Sequence, residues 1–132
     1  MKSLNRFLNP VRKPNKKFVL SSAFVEEDGT PIEWEMRALS AKECKEISNV
    51  AEDKSGSDIL AMQVAASLVY PSLKDAELVK ALAEKHSGKI LSPDEILLEL
   101  LDGAEYNKLV GVFNEHNSVT MDFPKLVEEA KN

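Results

Sequence analysis

The apolar positions of this chain follow three patterns, and each predicts a different kind of element. Between Ile59 and Val69 nine of eleven residues are apolar, and the two exceptions, Gln63 and Ser67, are four apart and so share one stripe of a helix. A helix that is apolar nearly all round belongs in the middle of a domain, here with Asp58 as its cap and Pro71 as its stop. It is shorter than the roughly 20 residues needed to cross a bilayer.

Upstream the period is two. Phe18, Leu20 and Phe24 lie on one side of KFVLSSAFV, and Ile32, Trp34, Met36 and Ala38 alternate with Glu33, Glu35 and Arg37. Asp28 and Gly29 between them supply turn chemistry, so residues 17–38 predict a β-hairpin. An isolated hairpin is marginal in water, which requires the Trp34 face to pack on the helices downstream.

Past the hairpin the period is helical. Ser40 and Glu43 form a capping box, and Ala41, Cys44, Ile47 and Ala51 then share one face, with the thiol toward the core. Lys54 to Ser57 is a loop. Ser72 with Asp75 predicts a second box, before a helix to Lys85 that buries Leu78, Val79 and Leu82; Gly88 ends it. Ser92, Pro93 and Glu95 open another helix, leucine-rich on nearly every side, and Gly103 breaks the chain after it. Tyr106, Leu109, Val110 and Phe113 stripe the next helix. Gly111 in its middle implies close approach of another backbone. Asp122, Phe123, Pro124, Leu126, Val127 and Ala130 predict a terminal amphipathic helix.

These elements give a mostly α, α+β fold: an N-terminal β-hairpin packed on a bundle of about five to six short helices. Residues 1–16 contain two prolines, three asparagines and no periodic pattern, and read as a flexible basic arm. Residues 17–132 read as a single globular domain, with the hairpin over 17–38 and the helical part over 40–131. In the arm Phe7 and Leu8 are the candidate partner-binding residues, able to anchor it in a groove of the body or of another subunit in a homo-oligomer.

Charge sharpens this division. The chain has 132 residues and a net charge of −5, yet residues 1–25 carry six bases and no acid, and the remaining 107 hold 11 bases against 22 acids. A basic arm on an acidic body suits an acidic partner or its own body, and the body would repel nucleic acid. No apolar run is long enough for a membrane span, and the single cysteine, Cys44, excludes an internal disulfide; both fit a cytoplasmic protein.

Candidate chemistry is sparse. His86 and His116 fall in the last turns of their predicted helices, where an imidazolium suits the dipole, and neither has a second ligand at metal spacing. The carboxylates follow solvent faces, and phosphate loops and nucleophile elbows are absent. The sequence therefore offers no catalytic, metal or cofactor residues.

Taken in order, FLNPVRKP, EEDGTPIEWEMRALSAKE, VYPSLKDAEL, SPDEILLELLDGAEYNKLVGVFNEHN and LVEEAKN resemble the XkdN-like tail assembly chaperones of tailed bacteriophages and prophages. The most distinctive piece is the tryptophan followed by a basic residue, Leu39 and the Ser40 capping box. The resemblance implies a small cytoplasmic assembly factor, without catalysis or cofactor and absent from the finished virion. Its implied partner is the tape measure protein, held soluble until tail tube protein polymerises around it. Such genes commonly make a longer product by ribosomal slippage, and Ala130, Lys131 and Asn132 could be encoded by a slippery run. The alternative reading is a small regulatory or nucleic-acid-binding protein that uses the basic arm.

Overall fold

The computed structural model of the chain describes residues 2–119. The expected terminal helix from Asp122 and the run Ala130 to Asn132 lie outside the described residues. In order, the elements are α1 (Lys2–Leu8), β1 (Lys16–Val19), β2 (Glu33–Met36), α2 (Ala41–Val50), α3 (Gly56–Ser67), β3 (Leu68–Tyr70), α4 (Ala76–Lys85), α5 (Pro93–Leu100) and α6 (Gly103–His116). The architecture is the expected α+β one, mostly α, with a small antiparallel sheet.

The hairpin forms in two steps. β1 and β2 pair antiparallel from Lys16↔Met36 to Val19↔Glu33, so Phe18 lies opposite Trp34. The expected run of strand to Val25 is broken because Leu20 turns into the core, where it is 1% exposed. Ser21 Oγ then donates to Glu105 Oε2 on α6 at 2.5 Å, and pairing resumes only at the Val25↔Pro31 bridge. At the tip Gly29 adopts φ +87° and donates to Glu26 O, while Asp28 accepts from Thr30 N, as the Asp-Gly signal predicts.

A third strand departs from the sequence pattern. The apolar run at 59–69 does not stay helical to Tyr70: α3 ends at Ser67, and β3 pairs antiparallel with β2 through Glu35↔Tyr70 and Met36↔Leu68. The cause is local and tertiary together. Leu68-Val69-Tyr70 are good strand formers, Pro71 favours an extended residue before it, and β2 offers a free edge. Arg37 N seals the junction by donating to Ser67 O at 2.8 Å.

α3 is the central helix. It packs on α2, α5 and α6, and Ala61, Val64, Ala65 and Ser67 are buried in it. The one polar group among these is satisfied, because Ser67 Oγ donates to Val64 O at 2.7 Å. Its start differs from expectation. Ser55 is the cap and Asp58 sits three residues inside, so Gly56 and Ser57 belong to the helix rather than to a loop.

Two other boundaries move in the same way. Asp75, not Ser72, caps α4, accepting from Leu78 N at 3.0 Å. Gly103 opens α6 instead of breaking the chain, because Asp102 and Glu105 form a full capping box in front of it. The box at Ser40 stands as expected, and Ser92 caps α5 with Pro93 in its first turn and Glu95 accepting from Ser92 N at 3.1 Å. α4 ends before Gly88, which takes φ +88° and donates to Ala83 O.

The core is one cluster shared by sheet and helices, with Leu20, Trp34 and Met36 from the hairpin and Val64, Ile96, Leu97, Leu109 and Phe113 from α3, α5 and α6. Trp34 is its largest fully buried member. Phe18 and Phe24 flank the indole, with ring centroids at 6.4 and 5.5 Å, the second edge-on.

Gly111 does not mark a close approach: a Cβ there would meet nothing within 4 Å, and the residue is exposed on α6. Glycine at such a site only loosens the helix. Gly111→Ala is therefore expected to raise stability by about 0.5–1 kcal/mol, read as a higher urea midpoint at unchanged slope.

Candidate functional site

The stretch from Trp34 to Glu43 builds the most distinctive surface of the molecule. Trp34 and Met36 point inward from β2, leaving Arg37 at the strand end beside the last turn of α3. Its guanidinium makes a two-pronged contact with Glu43, Nη1 to Oε1 at 2.8 Å and Nη2 to Oε2 at 2.5 Å, and Nη2 also donates to Ala66 O at 3.1 Å. That carbonyl belongs to the negative end of α3, which favours a cation.

Glu43 serves α2 as well, since its Oε1 accepts from Ser40 N at 3.0 Å while Ser40 Oγ accepts from Glu43 N. The Arg37 hydrogen bond first, and then the Ser40 N–H, hold the Glu43 carboxyl down at about 2. Leu39 N donates to Asn117 Oδ1 at 2.7 Å, which ties the same stretch to the end of α6. A basic residue three positions ahead of a capping box is visible in the sequence. Its task, fixing the angle at which α2 leaves the sheet, is not.

α2, pinned at this end, contacts α3 but buries none of its own residues fully. The expected inner face of Ala41, Cys44 and Ile47 is only partly realised: Cys44 and Ile47 are half-buried, and Ala51 just beyond the helix is buried. Beside this helix lies a groove of about 430 Å³, where α2 and α3 meet β3, the loop that follows it and the start of α5. Ile47, Met62, Ala65, Leu68 and Leu73 make it apolar, and the Arg37–Glu43 pair, Lys74 and Asp94 give it balanced charge at its rim.

The predicted partner-binding residues lie elsewhere. Phe7 is 83% exposed and Leu8 67%, and they join Leu4 in a stripe at helical spacing along α1, with the exposed Val11 in the non-helical segment that follows. The helix at Lys2–Leu8 is itself a departure from the patternless reading of the arm, since so few apolar residues in so short a segment do not declare a period. The arm's base is attached. Lys13 Nζ donates to Ser118 O at 3.1 Å, and Asn15 Nδ2 donates to Glu35 Oε2 at 3.0 Å.

A second hollow, of about 450 Å³, lies between the arm's base, Leu39 and the end of α6. His116 lines it. The ring is buried, and among the described residues its Nε2 has no hydrogen-bond partner. Burial, followed by the charges of Lys13 and Lys16, pushes its pKa below the ordinary value. The cationic cap expected at the helix end is thereby disfavoured, with desolvation the main cause. His86 is the C-cap of α4, with Nε2 3.2 Å from Glu99 Oε1 on α5. Among the described residues no group of three or more His, Cys, Asp or Glu side chains could hold a metal ion, and no helix is long and apolar enough to cross a membrane.

Comparison with known proteins adds two matches. A family model described as phage XkdN-like tail assembly chaperone protein matches residues 4–131. A crystal structure titled as that of the protein yqbn superposes with a TM-score of 0.71 at 21% identity, covering 86% of this chain and 95% of that one. The likeness is one of fold. No curated protein matches.

Proposed function

This chain belongs to the phage XkdN-like tail assembly chaperone family, and from that premise we propose that it binds the tape measure protein and keeps it soluble until the tail tube polymerises. It acts by binding alone, in the host cytoplasm, and leaves before the virion is complete. The observation that carries this reading is the groove between α2 and α3. Its apolar lining and balanced rim suit the apolar face of a client helix, and helix-in-groove binding needs just such a surface. The acidic body around it, about −11 without the basic N-terminal segment, opposes aggregation of the loaded complex.

The test is co-expression with the tape measure protein of the same phage. The wild-type chain is expected to hold the client in the soluble fraction. Met62→Arg places a charge in the groove at a half-buried position and is expected to weaken client binding by roughly tenfold or more while the chain's own melting temperature changes little. Client solubility unchanged with a folded Met62→Arg variant would remove the groove from the reading. Insoluble client with the wild-type chain would remove the reading itself.

A further inference from the structure

Among the described residues, nothing covers the stripe on α1. Leu4, Phe7 and Leu8 are all more than half exposed, and Val11 just beyond the helix is fully so, although Lys13 and Asn15 hold the arm's base on the body. A helix of seven residues gains little from its backbone hydrogen bonds alone, so a stripe of this kind calls for a covering surface.

The charge pattern says what covers it. Arg6 and Arg12 flank the stripe, and no acid occurs in residues 1–25. On the body, the hairpin tip carries Glu26, Glu27 and Asp28, and the outward face of β2 carries Glu33, all exposed. Val19 and Val25 lie along the same hairpin with more than two-fifths of their surface open. β1 runs from Lys16 toward that tip, so the arm joins the sheet at the opposite end from the acids that complement it.

We propose that α1 of one copy lies on the outer face and acidic tip of the hairpin of a second copy, and that the exchange is reciprocal. Each arm buries its apolar stripe against Val19 and Val25 of the other copy and places Arg6 and Arg12 among Glu26, Glu27, Asp28 and Glu33. A two-fold arrangement closes both contacts at once, leaving no free arm to propagate a filament. The α2–α3 groove takes no part in it, so this proposal does not rest on the client reading.

Sedimentation velocity on the purified full chain, over a dilution series and at rising salt, tests this. The wild-type chain is expected to show a dimer that dissociates on dilution and weakens with salt, since the paired charges are exposed. Phe7→Asp with Leu8→Asp is expected to raise the dimer dissociation constant at least about tenfold, with an unchanged melting temperature at dilutions where both chains are monomeric, because both side chains lie on the surface. Glu26→Lys with Glu33→Lys is expected to do the same. Adding Arg6→Glu and Arg12→Glu to that chain is expected to restore the dimer, which a merely structural role for the acids would not do. A wild-type chain that stays monomeric throughout, or a dimer indifferent to the Phe7 and Leu8 changes, would overturn the proposal. Loss of client retention by the Phe7/Leu8 variant with self-association unchanged would do so too, and would assign the arm to the client.

Discussion

Trp34→Ala is expected to cost about 3–5 kcal/mol, the largest loss available from a single truncation in this molecule. The indole is 2% exposed, is packed by Phe18 and Phe24, and joins the sheet to the cluster of α3, α5 and α6 side chains. Alanine would leave a void that the two neighbouring rings cannot fill without leaving their own positions. Domains of this size hold only about 5–15 kcal/mol in total, so the variant should unfold at much lower urea, with the hairpin amides losing protection from hydrogen exchange first. Retention of the full midpoint would mean that the sheet does not depend on this contact.

Leu97→Ala is the next largest, at about 2–5 kcal/mol, while Leu98→Ala one position on is expected to stay within about 0.5 kcal/mol of the parent. The two leucines are adjacent in a run that reads alike in either direction. In the structure Leu97 is 0% exposed and Leu98 51%, because α5 crosses α3 on one face only. Paired urea titrations of the two variants would check the orientation of α5, and comparable losses at both positions would contradict it.

That pair also shows where reading from sequence stops. The capping residues Ser40 and Ser92 and the Asp28-Gly29 turn are local chemistry, and they stand where their spacing puts them. So does the central place of α3, because an all-apolar helix has only one stable environment. The features that escape a sequence reading depend on partners distant in the chain. β3 is three residues long and continues the apolar run of α3, so only the free edge of β2, far earlier in the chain, makes it a strand. The groove is illegible for the same reason: its lining comes from the end of β2, α2, α3, β3 and the start of α5, which no local periodicity brings together. Gly111 misleads in the opposite way. A mid-helix glycine is informative only if something approaches it, and here nothing does. The stripe on α1 is largely visible as Phe7 and Leu8, but Leu4 becomes their neighbour only once the segment is helical.

The latching of the hairpin by α6 has a consequence for how the molecule is made. Ser21 is held by Glu105, Leu39 by Asn117, and the Val19 carbonyl by Lys108 Nζ at 3.0 Å, so the first strands to be synthesised wait on the last helix described. At about 5–20 residues per second, the ribosome takes several seconds to supply the intervening segment. Until α6 is supplied, the inner face of the hairpin, Trp34 included, lacks the Leu109 and Phe113 side of its core. The nascent chain therefore holds its core incomplete until its last described helix is made.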